Sequence, residues 1–179
     1  LYLKATALDR LGSKSAAVKV LETIVAQHPD YIPAQLHLAE LYLVRGEPQN
    51  AAPLVSAVAK VQPRSLPVHL LLARIGMAQK NFKAADAVLT SAAKALPNDA
   101  EIMFLSGESA WHQNQVERAR QFYARSLELK PDSVAALAGV VKADIAQKRE
   151  AVARTRLTDA LKRDKDNVKV PAKTAERGQ

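Results

Sequence analysis

Imidazoles and carboxylates are where chemistry would first be sought in this chain. Its four histidines are His28, His37, His69 and His112. No two of them have the His-x-x-x-His or His-Glu-x-x-His spacing that sets two imidazoles on one helix face for a metal. They read as surface or groove residues. There is no cysteine, which removes thiol nucleophiles, disulfides and cysteine-bound metals. Neither a glycine-rich phosphate loop nor a nucleophile elbow is present. Carboxylates such as Asp99, Glu101 and Asp132 fall at expected helix starts, where they suit the helix dipole better than acid–base work. The residues therefore predict no catalytic site, no metal, no cofactor and no small-molecule substrate, and the chain is read as a non-enzyme.

What remains is the chemistry of charge and contact. The net charge is +8 and the pI about 9.8. From Val134 onward there are eleven Lys and Arg against six Asp and Glu, so the last quarter holds most of the excess. A basic end can meet an acidic protein, anionic headgroups or nucleic acid. Interspersed signs equally describe a solvated outer helix, and that reading is adopted. No aromatic residue lies among those basic residues, so bases are offered nothing to stack on. Nucleic acid is not expected as a partner. The sole tryptophan, Trp111, is a residue type enriched at binding hot spots.

The elements that must position these residues are helices. Gly is scarce while Ala, Leu, Lys, Gln and Glu are abundant, a composition that favours helix. No apolar run is long enough to span a bilayer. Pro29, Pro63, Pro97 and Pro131 recur every 34 residues, and a fixed period of this size is the mark of a repeat architecture. Proline cannot continue a helix, and the polar residues after it can cap the next. Twelve residues before each proline stands an alanine (Ala17, Ala51, Ala85, Ala119), and one more period gives Ala153. A recurring small residue implies that two helix backbones approach closely there, where a larger side chain would overpack by ~1–3 kcal/mol. Seventeen residues before each proline position come Gly12, Gly46, Lys80, Asn114 and Lys148. Gly and Asn suit the left-handed residue that ends a helix; the two lysines suit it less.

With proline counted as position 32, the small residue at position 8 (Ala5, Ala39, Ala73, Gly107; Val141 in the last) and the alanine at 20 make this pattern resemble the tetratricopeptide repeat. Position 24, usually large and apolar, carries Leu21, Val55, Leu89, Tyr123 and Leu157. The usual Trp at position 4 is absent; Leu1, Gln35, His69, Met103 and Leu137 stand there. The resemblance implies an all-α fold, a right-handed α-solenoid of stacked antiparallel hairpins in a superhelix. About five units are expected, at 1–31, 32–65, 66–99, 100–133 and 134–167. Residues 168–179 are expected to start a further helix or form a polar tail. Lys165 replaces the proline of the fifth unit. Inner helices are expected near 34–45, 67–79, 101–113 and 134–147, and outer helices near 49–61, 82–96, 116–130 and 150–163. Because Leu1 falls inside a helix in this register, further repeats are expected upstream.

In such a stack the apolar inner-helix positions are core, as with Ala34, Leu38, Ala39 and Leu41, or Val68, Leu71 and Ala73. The resemblance further implies that other positions line a concave groove. Carried over, these give Leu36, Glu40 and Leu43; Leu70, Arg74 and Met77; Phe104, Glu108, Trp111 and His112; and Lys142 with Ile145. The groove would be an apolar trough in which position 9 alternates in charge through Glu40, Arg74, Glu108 and Lys142. Either those charges meet a partner peptide or helix, or they pair across neighbouring inner helices. The pairing reading is preferred for the charges, and Trp111 is left between partner contact and packing. The Lys, Asn and Arg pattern that grips a C-terminal carboxylate in some relatives is missing. The expected function is a protein-interaction scaffold. By its alanine-rich texture it is similar to arrays of bacterial cell-envelope and exopolysaccharide or secretion systems. A cytoplasmic regulatory adaptor and a basic nucleic-acid-associated array are the alternatives, and self-association through exposed end helices is a further expectation.

Overall fold

The computed structural model describes residues 1–168, with side chains as far as Arg163. Residues 169–179, assigned above to a further helix or tail, lie outside the described residues. Among the described residues there are ten α-helices and no strand. They are α1 (Tyr2–Arg10), α2 (Lys14–Gln27), α3 (Ile32–Val44), α4 (Pro48–Val61), α5 (Leu66–Ala78), α6 (Phe82–Ala95), α7 (Ala100–His112), α8 (Val116–Leu129), α9 (Val134–Ala146) and α10 (Glu150–Val168).

The period accounts for the joints. Pro29, Pro63, Pro97 and Pro131 each stand two residues beyond the end of α2, α4, α6 and α8. At the fifth such place stands Lys165, and α10 continues through it to Val168, past the expected end near 163. Nothing in its sequence there removes a backbone donor or clashes with the preceding turn.

The odd-numbered helices end in one way. Gly12, Gly46, Lys80, Asn114 and Lys148 all have positive φ, from 59° to 77°. At each, two hydrogen bonds close the turn: Gly46 N–H donates to the Leu43 carbonyl at 3.0 Å, and Glu47 N–H to that of Tyr42 at 2.8 Å. Asn114 and Gln115 repeat this onto Trp111 and Ala110. This is the Schellman arrangement, which satisfies the last carbonyls of the helix. Lys80 and Lys148 thus adopt the backbone form that side chains disfavour.

Packing of Cα atoms divides the chain into two units, Leu1–Leu105 and Ser106–Gln179, with the boundary inside α7. In the first unit, Ala5, Ala17, Leu21, Ala34 and Leu38 bury one core shared by α1, α2 and α3. Ala39, Val55, Val58, Val68 and Leu71 bury the next, shared by α3, α4 and α5. Each inner helix therefore closes its own hairpin and covers the one before, the nearest-neighbour logic of a repeat. The expected close approach at position 20 is present: Ala17, Ala51 and Ala85 are fully buried. A Cβ added to Gly76 on α5 would lie 3.3 Å from the Cβ of Ala85.

In the second unit Ala119 and Ala153 are buried in the same way, but position 24 differs. Tyr123 is fully buried where the first unit has Leu or Val. Gly107 on α7 and Gly139 on α9 make room for its ring. A Cβ on either would lie 2.6 Å or 2.7 Å from Tyr123 Cδ1, inside van der Waals contact.

Candidate functional site

Inner helices α3 and α5 carry the candidate residues of the first unit. On α3, Leu36 and Leu43 are half-buried and Glu40 is exposed. On α5, Arg74 is exposed, Met77 half-buried and Leu70 buried at 9% exposure, so Leu70 offers little open surface. Phe104, in the first turns of α7, is half-buried. Arg74 donates to the Glu101 carboxylate. Glu40 makes no ion pair or hydrogen bond among the described residues. It lines an open recess between α1 and α3 with Tyr2, Asp9, Pro33, Leu36 and His37.

His37, read from the sequence as a surface or groove residue, lies on α3. It is partly buried, with Nε2 3.0 Å from the Asp9 carboxylate and its ring edge-on to Tyr2. Burial, then the neighbouring Tyr31 and Glu40, raise the Tyr2 phenol above its usual value. Between α3 and α2, Tyr42 donates to Glu22 at 2.8 Å. Burial and that hydrogen bond push its phenol up to about 12.

In the second unit the candidates form a connected cluster. The Lys142 ammonium lies 4.2 Å from the centroid of the Trp111 ring and 3.8 Å from the Glu108 carboxylate. Tyr123 donates its hydroxyl to the same carboxylate. Burial first, and then this bond, raise the Tyr123 phenol well above its ordinary range. Trp111 and Glu108 are half-buried; His112, Lys142 and Ile145 are exposed, Ile145 at 55%. One face of the Trp111 ring is thus covered by the chain's own cation, a contact worth ~0.5–1 kcal/mol at an exposed site.

Pairing of the position 9 charges is found for Glu108 with Lys142. Arg74 instead takes Glu101, at an earlier position on the following inner helix than the position 9 residue. Period alone locates a charge on a face; side-chain reach along that face selects its partner.

Two features of this unit were not among the sequence candidates. Asp144 is fully buried on α9 and accepts from Arg156 Nε at 2.8 Å, while its Oδ1 has no hydrogen-bond partner. The repeat held a signal for this pair. Position 11 reads Leu8, Tyr42, Gly76, Ala110 and then Asp144; position 23 reads Val20, Leu54, Val88, Phe122 and then Arg156. An acid and a base enter together where the other units carry no charge. Glu117 on α8 accepts from Arg120, Gln147 and Gln121. Those bonds, that from Arg120 foremost, hold its carboxyl down at about 2.

Hairpins of two helices at a 34-residue period, sharing cores through each inner helix, define an all-α helical repeat of the solenoid class. Two family models described as tetratricopeptide repeat match residues 12–75 and 70–134, and the chain belongs to that family. Solved structures agree on the fold. MamA (residues 41 to the end) from Desulfovibrio magneticus RS-1 superposes with a TM-score of 0.73 at 18% identity, over 93% of this chain and 94% of that one. A thermophilic tetratricopeptide protein of Thermus thermophilus gives 0.76 at 20% identity, over 88% and 87%. Among curated proteins, protein O-mannosyl-transferase TMTC1 of Mus musculus is 27% identical over 116 residues, 63% of this chain and 12% of that protein. Its Homo sapiens counterpart is 24% identical over 129 residues, 70% and 15%. The chain thus spans a small fraction of the curated relatives it matches. No helix among the described residues is long and apolar enough to cross a membrane.

Proposed function

We propose that the chain is a non-catalytic scaffold that holds a protein partner, as a peptide or helix, against its inner helices. One observation carries the reading. Of the four alternating charges, Arg74, Glu108 and Lys142 are engaged within the chain, whereas Glu40 is exposed, makes no ion pair and adjoins half-buried Leu36 and Leu43. The first unit therefore offers an acidic pin beside apolar surface, and the matching partner segment places a Lys or Arg among apolar residues. In the second unit a partner meets Ile145 and the free edge of Trp111, and a partner cation competes with Lys142 for the ring. A bacterial envelope or secretion assembly is the proposed setting, on the alanine-rich texture of the hairpins; a cytoplasmic adaptor is the alternative.

Panning a random peptide library against the chain tests this. Peptides with a basic residue flanked by apolar ones are expected. Their affinity should fall about tenfold or more in Glu40→Lys and in Met77→Asp. Peptides that bind both variants as well as the parent would remove the inner helices of the first unit from the function.

A further inference from the structure

Away from the inner helices, the second unit has a basic recess on its outer side. Arg120 of α8 and Arg156 and Arg163 of α10 line it, over Ala124, Leu127 and Pro131. Two of these guanidinium groups are held by carboxylates behind them. Arg120 donates Nε and Nη2 to Glu117, at 3.2 Å and 2.7 Å, and Arg156 donates Nε to buried Asp144. Both are well covered, with side chains 19% and 28% exposed. Among the described residues, Nη1 of Arg120 and both Nη groups of Arg156 make no hydrogen bond, and Arg163 makes no ion pair. A guanidinium fixed through one edge and open at the other is pre-organised for a carboxylate. The acid that also lines this recess, Glu128, is engaged by Arg125 at 3.0 Å.

A second recess adjoins the first, since Pro131 and Arg163 line both. Its walls are Val134, Leu137 and Ala160, with Asp132 and Ser133 at the start of α9. Val134 is 78% exposed. The pair of recesses is therefore a short trough with a basic end and an apolar end. Asp132 repels an acid at the apolar end and so fixes the polarity of an occupant.

We propose that this trough is a docking site for a short acidic peptide segment of a protein partner. Its carboxylates lie against Arg163, Arg156 and Arg120, and an adjacent apolar side chain covers Val134 and Leu137. The arginines supply the charge complementarity, and the apolar end distinguishes a peptide from a simple anion. The site shares no residue with the candidate cluster of Glu108, Trp111, Lys142 and Ile145 and does not depend on it.

The probe is a fluorescein-labelled short peptide of Asp, Glu and Leu, titrated by anisotropy with the whole chain. Controls are its Asn, Gln and Leu counterpart, inorganic phosphate, and phosphatidylserine–phosphatidylcholine vesicles. The acidic peptide is expected to bind with an affinity that falls with salt. Arg163→Glu should weaken it about tenfold or more, as should Val134→Asp; both positions are exposed, and circular dichroism checks the fold. Failure of the acidic peptide to bind, equal binding of the amide peptide, or unchanged affinity in Arg163→Glu each overturns the proposal. Vesicle or phosphate binding that depends on Arg163 but ignores Val134 also overturns it, in favour of a plain anion site.

Discussion

Replacing Gly107 with Ala puts the packing of the second unit to a quantitative test. A Cβ at Gly107 would lie 2.6 Å from Cδ1 and 2.7 Å from Cε1 of Tyr123, a fully buried ring clamped from the other side by Gly139. The buried ring meets both glycine positions inside van der Waals contact, so the overpacking term is ~1–3 kcal/mol. Alanine returns up to ~1 kcal/mol through helix propensity, which leaves a net loss of roughly 0–2 kcal/mol. Tyr123→Leu alone forfeits the hydroxyl bond to Glu108 and leaves space beside two glycines, at ~2–4 kcal/mol. The double substitution recreates the Ala and Leu found at positions 8 and 24 of the repeat at 66–99, in Ala73 and Leu89. It should be more stable than the sum of the singles by over ~1 kcal/mol. Urea unfolding reads this through the fluorescence of Trp111, the sole tryptophan, with circular dichroism for the whole chain. Repeat arrays need not unfold in one step, so the tryptophan signal decides. Additivity within ~0.5 kcal/mol, the range for uncoupled sites, would refute the claim that the glycines exist for the ring.

Three further outcomes are expected. Lys80→Gly and Lys148→Gly relieve non-glycine residues of φ 59°; strain relief less glycine's greater chain entropy should raise stability by ~0.5–1 kcal/mol each in thermal unfolding. Arg156→Leu leaves the buried Asp144 carboxylate unpaired and should cost ~3–5 kcal/mol, whereas Asp144→Ala with Arg156→Leu should be near neutral or better by urea titration. The Glu117 carboxyl lies at about 2 in the folded chain and near ~4.3 unfolded. Its contribution is therefore complete above the unfolded value and is lost as pH falls through that window toward the folded one. Glu117→Gln should flatten the decline in melting temperature between those values; the side chain is half-exposed, so salt should mute the effect.

Much of the fold was legible because repetition multiplies weak signals. One proline or one alanine says little, but Pro29 to Pro131 and Ala17 to Ala153 at one interval identified the joints and close contacts. The left-handed turns were legible at Gly12 and Gly46 and only by register at Lys80 and Lys148. The end of α10 was missed because the interval was extended over Lys165, a residue that lacks the cause of the break. The candidate surface was legible as a set of positions on faces. Its pairings were not: Arg74 to Glu101, or Lys142 over Trp111, depends on how far long side chains reach. The Asp144–Arg156 pair and the glycine clamp were visible as departures from the repeat, yet each needed two departures on different helices to be matched.

The clamp on Tyr123 also bears on how so repetitive a chain finds one assembly. Hairpins built on one backbone plan can associate in the wrong order. The Tyr123 ring fits only where both facing positions are glycine. The same places elsewhere hold Ala39 or Ala73 and His37 or Leu71, which would collide with it. An outsized key with a single matching lock penalises shifted associations. It gives modules that would otherwise be interchangeable a defined place in the sequence of docking events.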